Sequence, residues 1–323
     1  MLTLPFLWVM MEWLRLWIFN GFPWLILGYS QIDSALAGYA PVLGVEGLSW
    51  LTAITAGLLI WLLKNSFSAP GLVMLVAIWV GGMLLGMVQW TTPLGDKLQV
   101  ALVQGNWAQK DKWLPQYTLR TLREYQKEIN RYWNADLIVL PETALPIVWQ
   151  DLGDFFSNTQ NRAVLEQKDV LVGTVTRQDD GGYFNSVINL RNGDDYHKHH
   201  LVPFGEYTPW PWLFSPLAQL LNIPLSDFSH PPVGQPLVLN NGLAAGLSIC
   251  YEIAFQSQQQ AYMPQASLLV TLSNDAWFDR SLEPEQHLQM ARMRALELGR
   301  PLARATNTGA TALIDEKGQL VTR

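Results

Sequence analysis

Cysteine is almost missing: in 323 residues Cys250 is the only one. One thiol excludes an internal disulfide framework and a cysteine-built zinc cluster, and it leaves the compartment open. Charge is scarce at the start. Before Asp96 the only Asp, Glu, Lys or Arg residues are Glu12, Arg15, Asp33, Glu46 and Lys64. Basic residues are in deficit throughout, with 21 Lys and Arg against 27 Asp and Glu and a formal net charge of −6. A nucleic-acid partner would need a basic patch to neutralise phosphates, so that class is set aside.

The charge-poor part holds long apolar runs instead. "PVLGVEGLSWLTAITAGLLIWLL", residues 41–63, has Glu46 as its single charge, and "PGLVMLVAIWVGGMLLGMVQW", residues 70–90, has none. Either run, as a helix, is long enough to cross ~30 Å of hydrocarbon. The glycines of the second suit close helix packing. A third segment, residues 2–19, carries Glu12 and Arg15 three positions apart, a spacing that lets them pair on one helical face. An ion pair inside a span must face protein or water; the alternative is an interfacial helix with its charged face outward. The segment lacks the basic start and small-residue cleavage site of a signal peptide. Lys64 in the short linker "KNSFSAP" places that linker in the cytoplasm by the positive-inside rule, and the chain after residue 90 on the opposite face. Residues 1–95 are therefore expected to form a transmembrane helical section.

From residue 96 to 323 the pattern changes to strands alternating with helices. "KLQVALVQGNW", "ADLIVLPETALP", "DVLVGTVTR", "FNSVINLRNG", "LAAGLSICYEIAF", "ASLLVTLSNDAW" and "GATALIDEKGQLV" read as strands, the fourth closing on an Asn-Gly turn. "TLRTLREYQKEINRYW" and "EPEQHLQMARMRALELGRP" have helical spacing. This alternation predicts a layered α/β domain, whose chemistry gathers where strands end. Polar residues stand at three such ends: Glu142, Cys250, and Asn274 with Asp275. A fourth polar cluster, "HKHHLVPFGEY", surrounds Lys198.

A cysteine nucleophile needs a base to take its proton, a nearby cation, and donors for the oxyanion it creates. Glu142 can supply the base, Lys198 the cation, and the N–H of Tyr251 a donor. Singly these residues have plainer roles: Cys250 as a small core residue, Glu142 capping a loop, Lys198 solvated, and His197, His199 and His200 a surface cluster. A zinc site on those histidines lacks an acidic ligand at helical spacing beside them.

"LPETALP", "HKHHLVPFGEYTP" and "SICYEIAF", in that order, resemble the Glu-Lys-Cys motifs of the carbon-nitrogen hydrolase (nitrilase) superfamily. Together with the apolar section, "EWLRLWIFNGFPWLILGYSQ", "HLVPFGEY", "LSNDAWF" and "HLQMARMRALELGRP" are similar to its membrane branch, the apolipoprotein N-acyltransferases. The resemblance implies an α-β-β-α sandwich on a transmembrane bundle in the bacterial cytoplasmic membrane, its catalytic domain on the outer, periplasmic side, with no metal and no cofactor. It also implies transfer of an acyl chain from a phospholipid, normally phosphatidylethanolamine, to the α-amine of a diacylated apolipoprotein. Catalysis would run through a thioester on Cys250, with Glu142 as base and acid and Lys198 holding the oxyanions and lowering the thiol's pKa.

The same resemblance marks Glu206, Glu252 and Tyr251 as supporting residues, and Trp113, Trp277 and Arg300 as wall or gate residues. The Trp-, Leu- and Pro-rich segment from Tyr207 to Phe228, with Trp210 and Trp212, reads as an arm dipping into the membrane surface. Family members carry further spans before the first segment and one after the last strand, so the resemblance implies that the chain is part of such a protein. Two other readings stay open: a membrane-tethered amidase with water as acceptor, and an inactive fragment or binding module that keeps the triad as a structural network.

Overall fold

The computed structural model describes residues 3–18, 21–65, 68–179, 181–210, 212, 228–232, 235–278 and 281–323. Three helices form the apolar section: α1 (Thr3–Arg15), α2 (Ala40–Lys64) and α3 (Ala69–Gly86). Two helical stretches, Ala35–Lys64 and Ala69–Gly86, are long and apolar enough to cross a membrane. Proline opens both α2 and α3, where a missing N–H costs no helical bond. The α2 backbone breaks at Gly44 (φ 68°, ψ −178°). Beyond the break, residues 45–64 are helical and span about 30 Å at 1.5 Å per residue. Val45 donates its N–H to Glu297 Oε1 at 2.6 Å, which ties α2 to the second part of the chain. Helix α3 lies so close to the turn before α2 that a Cβ at Gly38 would meet the Gly82 carbonyl oxygen at 1.9 Å.

In α1 the expected pairing of Glu12 with Arg15 is not formed, and the charged face is not outward. Glu12 is buried, and its Oε1 accepts from Trp8 Nε1 at 2.9 Å and from Leu27 N at 2.8 Å. The carboxylate satisfies a backbone N–H at the start of a 3₁₀ turn (Leu27–Gln31), a donor that such a turn leaves without an internal partner.

The rest is a sandwich of two sheets. One has the order β1 (Val100–Leu102), β2 (Leu137–Val139), β3 (Asp169–Arg177), β4 (Tyr183–Asn189), β5 (Asp195–His197). The other runs β11 (Leu320–Thr322), β10 (Ala312–Ile314), β9 (Leu302–Thr306), β8 (Ala266–Ser273), β7 (Ala244–Ile249), β6 (Leu237–Val238). Strands β1 to β3 are parallel, as are β7 to β9, and the remaining pairs are antiparallel. Parallel strands buried on both faces read as continuous apolar runs, which is why "LIVL" and "SLLVTL" carry no alternation.

Leu137, Val139 and Leu171 of the first sheet pack on Leu247, Ile249, Val270 and Leu272 of the second. Helices α5 (Pro115–Arg131) and α6 (Ser157–Glu166) cover the first sheet's outer face through Leu122, Ile129 and Ala163. Helix α8 (Glu283–Leu298) covers the second through Leu288, Ala291 and Ala295. The short helices α4 (Gln109–Lys112) and α7 (Gln256–Gln260) lie at the ends of strands. The α-β-β-α order is the one expected from the sequence.

Candidate active site

Strand β7 delivers Cys250 and stops there. The chain turns into a 3₁₀ segment, Cys250–Ala254, with Cys250 at φ 54°. A left-handed non-glycine residue is costly and marks a position held by its surroundings. His287 of α8 supplies part of the hold, its Nε2 lying 3.1 Å from the Cys250 carbonyl oxygen. The adjacent N–H of Tyr251 lies in the first turn, whose donors have no partner within the turn.

Glu142 follows β2, and Lys198 follows β5. Lys198 is 1% exposed, with Nζ 2.7 Å from Glu206 Oε1 and 3.7 Å from Glu142 Oε1. Asn185 of β4 donates from Nδ2 to Glu142 Oε1 at 2.8 Å, and Val202 N donates to Glu206 Oε2 at 2.8 Å. Glu252 knits the Lys198 loop to the cysteine turn. Its carboxylate accepts from Tyr196 OH, Gln258 Nε2 and the backbone N–H groups of His199, His200 and Ile249, at 2.7–3.0 Å. The two sheets thus present Glu142, Lys198, Glu206 and Cys250 in one place.

Burial works against the Lys198 ammonium, but Glu206, Glu142 and Cys250 outweigh it and hold the charge well above the lysine range. The Cys250 thiol is pushed up, first by burial and then by Glu142; Lys198 pulls it down without overcoming both. A nucleophilic role for Cys250 would therefore need proton transfer to a base at the moment of attack. Burial also raises Glu252, a rise opposed by the hydrogen bonds from His200 N, Ile249 N and Gln258 and by the charge of Lys198.

Four aromatic residues singled out in the sequence are exposed: Trp113 at 47%, Trp277 at 69%, Trp210 at 55% and Trp212 at 78%. Trp113 adjoins Lys112, which touches Glu142, and Trp277 sits two residues beyond Asp275. Of the arm, residues 211 and 213–227 lie outside the described residues. Arg300 stands apart: its Nε binds the Ala266 carbonyl oxygen at 2.8 Å, at the start of β8, whereas Asp275 follows that strand's far end. The three histidines around Lys198 have separate partners, with His197 on Ser186, His199 on the Pro231 carbonyl, and His200 stacked on Phe255.

A second buried cluster surrounds Asp275, the one member of it that the sequence marked as polar at a strand end. His287 Nδ1 is 3.2 Å from Asp275 Oδ1 and 3.4 Å from Glu283 Oε1, and Arg304 Nη2 donates to Asp275 Oδ2 at 2.9 Å. Burial opposes charge on Asp275, yet Arg304 and His287 hold its carboxyl well below the usual range. Burial and Arg304 oppose a proton on His287, but Asp275 and Glu283 raise it nonetheless. Asp275, Glu283 and His287 have metal-ligand chemistry, but Arg304 Nη2 lies 3.1 Å from His287 Nδ1, so a guanidinium already supplies the cation. The signal for this cluster was faint: Glu283 and His287 are one helical turn apart, while Asp275 and Arg304 come from other elements.

Comparison with known proteins fits this geometry. The carbon-nitrogen hydrolase family profile matches residues 99–323. The chain belongs to the carbon-nitrogen hydrolase family. A second profile, the apolipoprotein N-acyltransferase N-terminal domain, matches residues 1–58. This carbon-nitrogen hydrolase chain is 42% identical to an apolipoprotein N-acyltransferase of Vibrio cholerae, over 98% of its own length and 65% of the relative's. It is 43% identical to one of Nitrosomonas europaea, over 98% and 64%. A solved Saccharomyces cerevisiae member of the nitrilase superfamily shares the fold at TM-score 0.50 and 16% identity, covering 72% of this chain and 87% of that one.

Proposed function

We propose that this chain carries the machinery for moving an acyl chain from a membrane phospholipid, phosphatidylethanolamine above all, to the α-amine of a diacylglyceryl-cysteine at the start of an apolipoprotein. The work would be done at the outer face of the bacterial cytoplasmic membrane. One observation carries this reading. The cysteine turn is packed on the apolar section: Tyr251 OH donates to the Gly21 carbonyl at 2.8 Å, and Tyr251, Ala254 and Phe255 share a core with Ile26, Tyr29, Val45 and Leu48. A nucleophile seated against membrane helices serves a donor that lies in the bilayer. The names of the relatives and the match to residues 1–58 support the same reading.

In the first half-reaction Glu142 takes the Sγ proton as the thiolate attacks the ester carbonyl carbon. The carbonyl oxygen becomes an oxyanion facing the Lys198 ammonium and the Tyr251 N–H. Collapse breaks the bond to the glycerol oxygen, which takes the proton from Glu142 and departs as lysophospholipid. A thioester remains on Cys250. In the second half the α-amine attacks that thioester, Glu142 takes its proton, and the proton returns to the departing sulfur. Glu206 holds Lys198, Glu252 holds the turn, and Trp210 and Trp212 meet the lipid.

Labelled phosphatidylethanolamine vesicles test this directly. Intact-protein mass spectrometry is expected to find an acyl thioester on Cys250 and none in Cys250→Ala. Ammonia release from small amides without a thioester would instead indicate the amidase, and neither product would indicate a binding role.

A further inference from the structure

Lys112 looks in the sequence like its neighbour Lys110, a solvated lysine in "AQKDKW". Lys110 is exposed, but Lys112 is 1% exposed. Lysine is almost never buried unless paired. Its Nζ donates to the Glu142 backbone carbonyl at 3.1 Å and to Thr143 Oγ1 at 2.6 Å. Thr143 lies at φ 43°, in the left-handed region that a β-branched residue very rarely enters. On the other side the same turn presses on β3, where a Cβ at Gly173 would meet the Pro141 carbonyl oxygen at 2.2 Å and Thr143 N at 2.8 Å. The turn that aims Glu142 is thus clamped between bare strand backbone and an ammonium.

Charge gives a second line. Glu142 and Glu206 share one cation in Lys198. Lys112 supplies a second, so the two carboxylates and the two ammonium groups sum to zero before and after a proton passes from Cys250 to Glu142, while Asp275 has its own cation in Arg304. Burial lowers Lys112 to about 8, while Glu142 and Cys250 act to keep it charged.

We propose that Lys112 is a positioning residue for Glu142 and the second buried cation of the reaction. It holds the left-handed Glu142–Thr143 turn and favours the thiolate electrostatically. The proposal rests on the reading that Glu142 takes the Cys250 proton. The charged and titratable groups facing that thiol are Glu142, Lys198, Asp275, Glu206, Lys112 and Tyr251.

The test uses the whole chain in detergent, with Lys112→Gln, which keeps a donor without the charge, and Lys112→Met, which keeps neither. Three quantities are read: the pH profile of Cys250 alkylation by iodoacetamide, acylation by phosphatidylethanolamine vesicles, and thermal unfolding. Lys112→Gln is expected to melt within a few degrees of the parent, to move the alkylation profile about one pH unit upward, and to slow acylation about tenfold. Lys112→Met is expected to lose more acylation. Adding Thr143→Gly, which relaxes the turn, is expected to restore part of that rate without restoring the alkylation profile. Parental alkylation profiles in both variants overturn the proposal, and so does loss of the folded state in both, which assigns Lys112 to packing alone. A displaced profile in a chain whose parent takes no acyl group keeps the role of Lys112 and removes the acyl-transfer reading.

Discussion

On one side of Cys250, Lys198 stands between Glu142 and Glu206; on the other, Arg304 and His287 stand against Asp275 and Glu283. Both clusters are buried and mix acids with bases. The first comes from loops at strand ends and faces the thiol. The second comes from β9, α8 and the end of β8; its hydrogen bond to the cysteine goes to the backbone carbonyl, and Asp275 acts on the thiol by charge alone. Buried charge beside a moving proton sets a rate, whereas buried charge beside a fixed carbonyl sets a conformation. The same residue types therefore give different phenotypes.

The largest break is expected from Glu142→Gln. It keeps the shape and removes the carboxylate proposed as the base, so thioester formation should fall about 10³-fold with an unchanged melting temperature. Lys198→Met comes next, and it acts on both axes. Acylation is expected to fall about 10²-fold, and stability by about 3 kcal/mol, because Glu142 and Glu206 lose their shared partner. A rate loss without destabilisation would show that the two carboxylates do not depend on it.

Asp275→Asn is expected to do the reverse, costing about 3 kcal/mol while slowing acylation only about tenfold. The pH dependence carries a sign. Asp275 has a depressed folded pKa, so its stabilisation is full above the ordinary carboxylate range and is lost as pH falls through and below it. His287 has a raised folded pKa, so its stabilisation is full below the ordinary histidine value and is lost as pH rises above it. Melting curves against pH should show both slopes in the parent and a shallower acid slope in Asp275→Asn. Identical slopes would contradict the holding role.

Smaller effects sharpen the boundary with the membrane section. Replacing Trp210 and Trp212 with serine is expected to raise the vesicle concentration needed for acylation a few-fold without changing the melting temperature, since both are exposed. Tyr251→Phe removes one hydrogen bond to Gly21 and should cost about 1 kcal/mol, with the alkylation rate of Cys250 unchanged.

The difference between the clusters also explains what was legible in the sequence. Glu142, Lys198 and Cys250 stand out because each ends an apolar run or sits in a polar cluster that a core has no use for. Arg304 does not, since "LARAT" has neither alternation nor an apolar run, and it takes Asp275 and the Ala310 carbonyl packed beside it to make a buried arginine tolerable. β9 was missed for the same reason. Lys112 reads as solvent-facing until Thr143, 31 residues later, is seen beneath its ammonium. Glu12 shows the opposite error: its spacing to Arg15 suggested a pair, but the N–H of Leu27 claims the carboxylate.

Acyl transfer through Cys250 is tested most directly by a single turnover. The chain is acylated from phosphatidylethanolamine vesicles, freed of phospholipid, and mixed with a diacylglyceryl-cysteine peptide. The thioester is expected to vanish only when peptide is added, with one N-acylated peptide formed for each Cys250 deacylated. Release of free fatty acid at the same rate with or without peptide would contradict it.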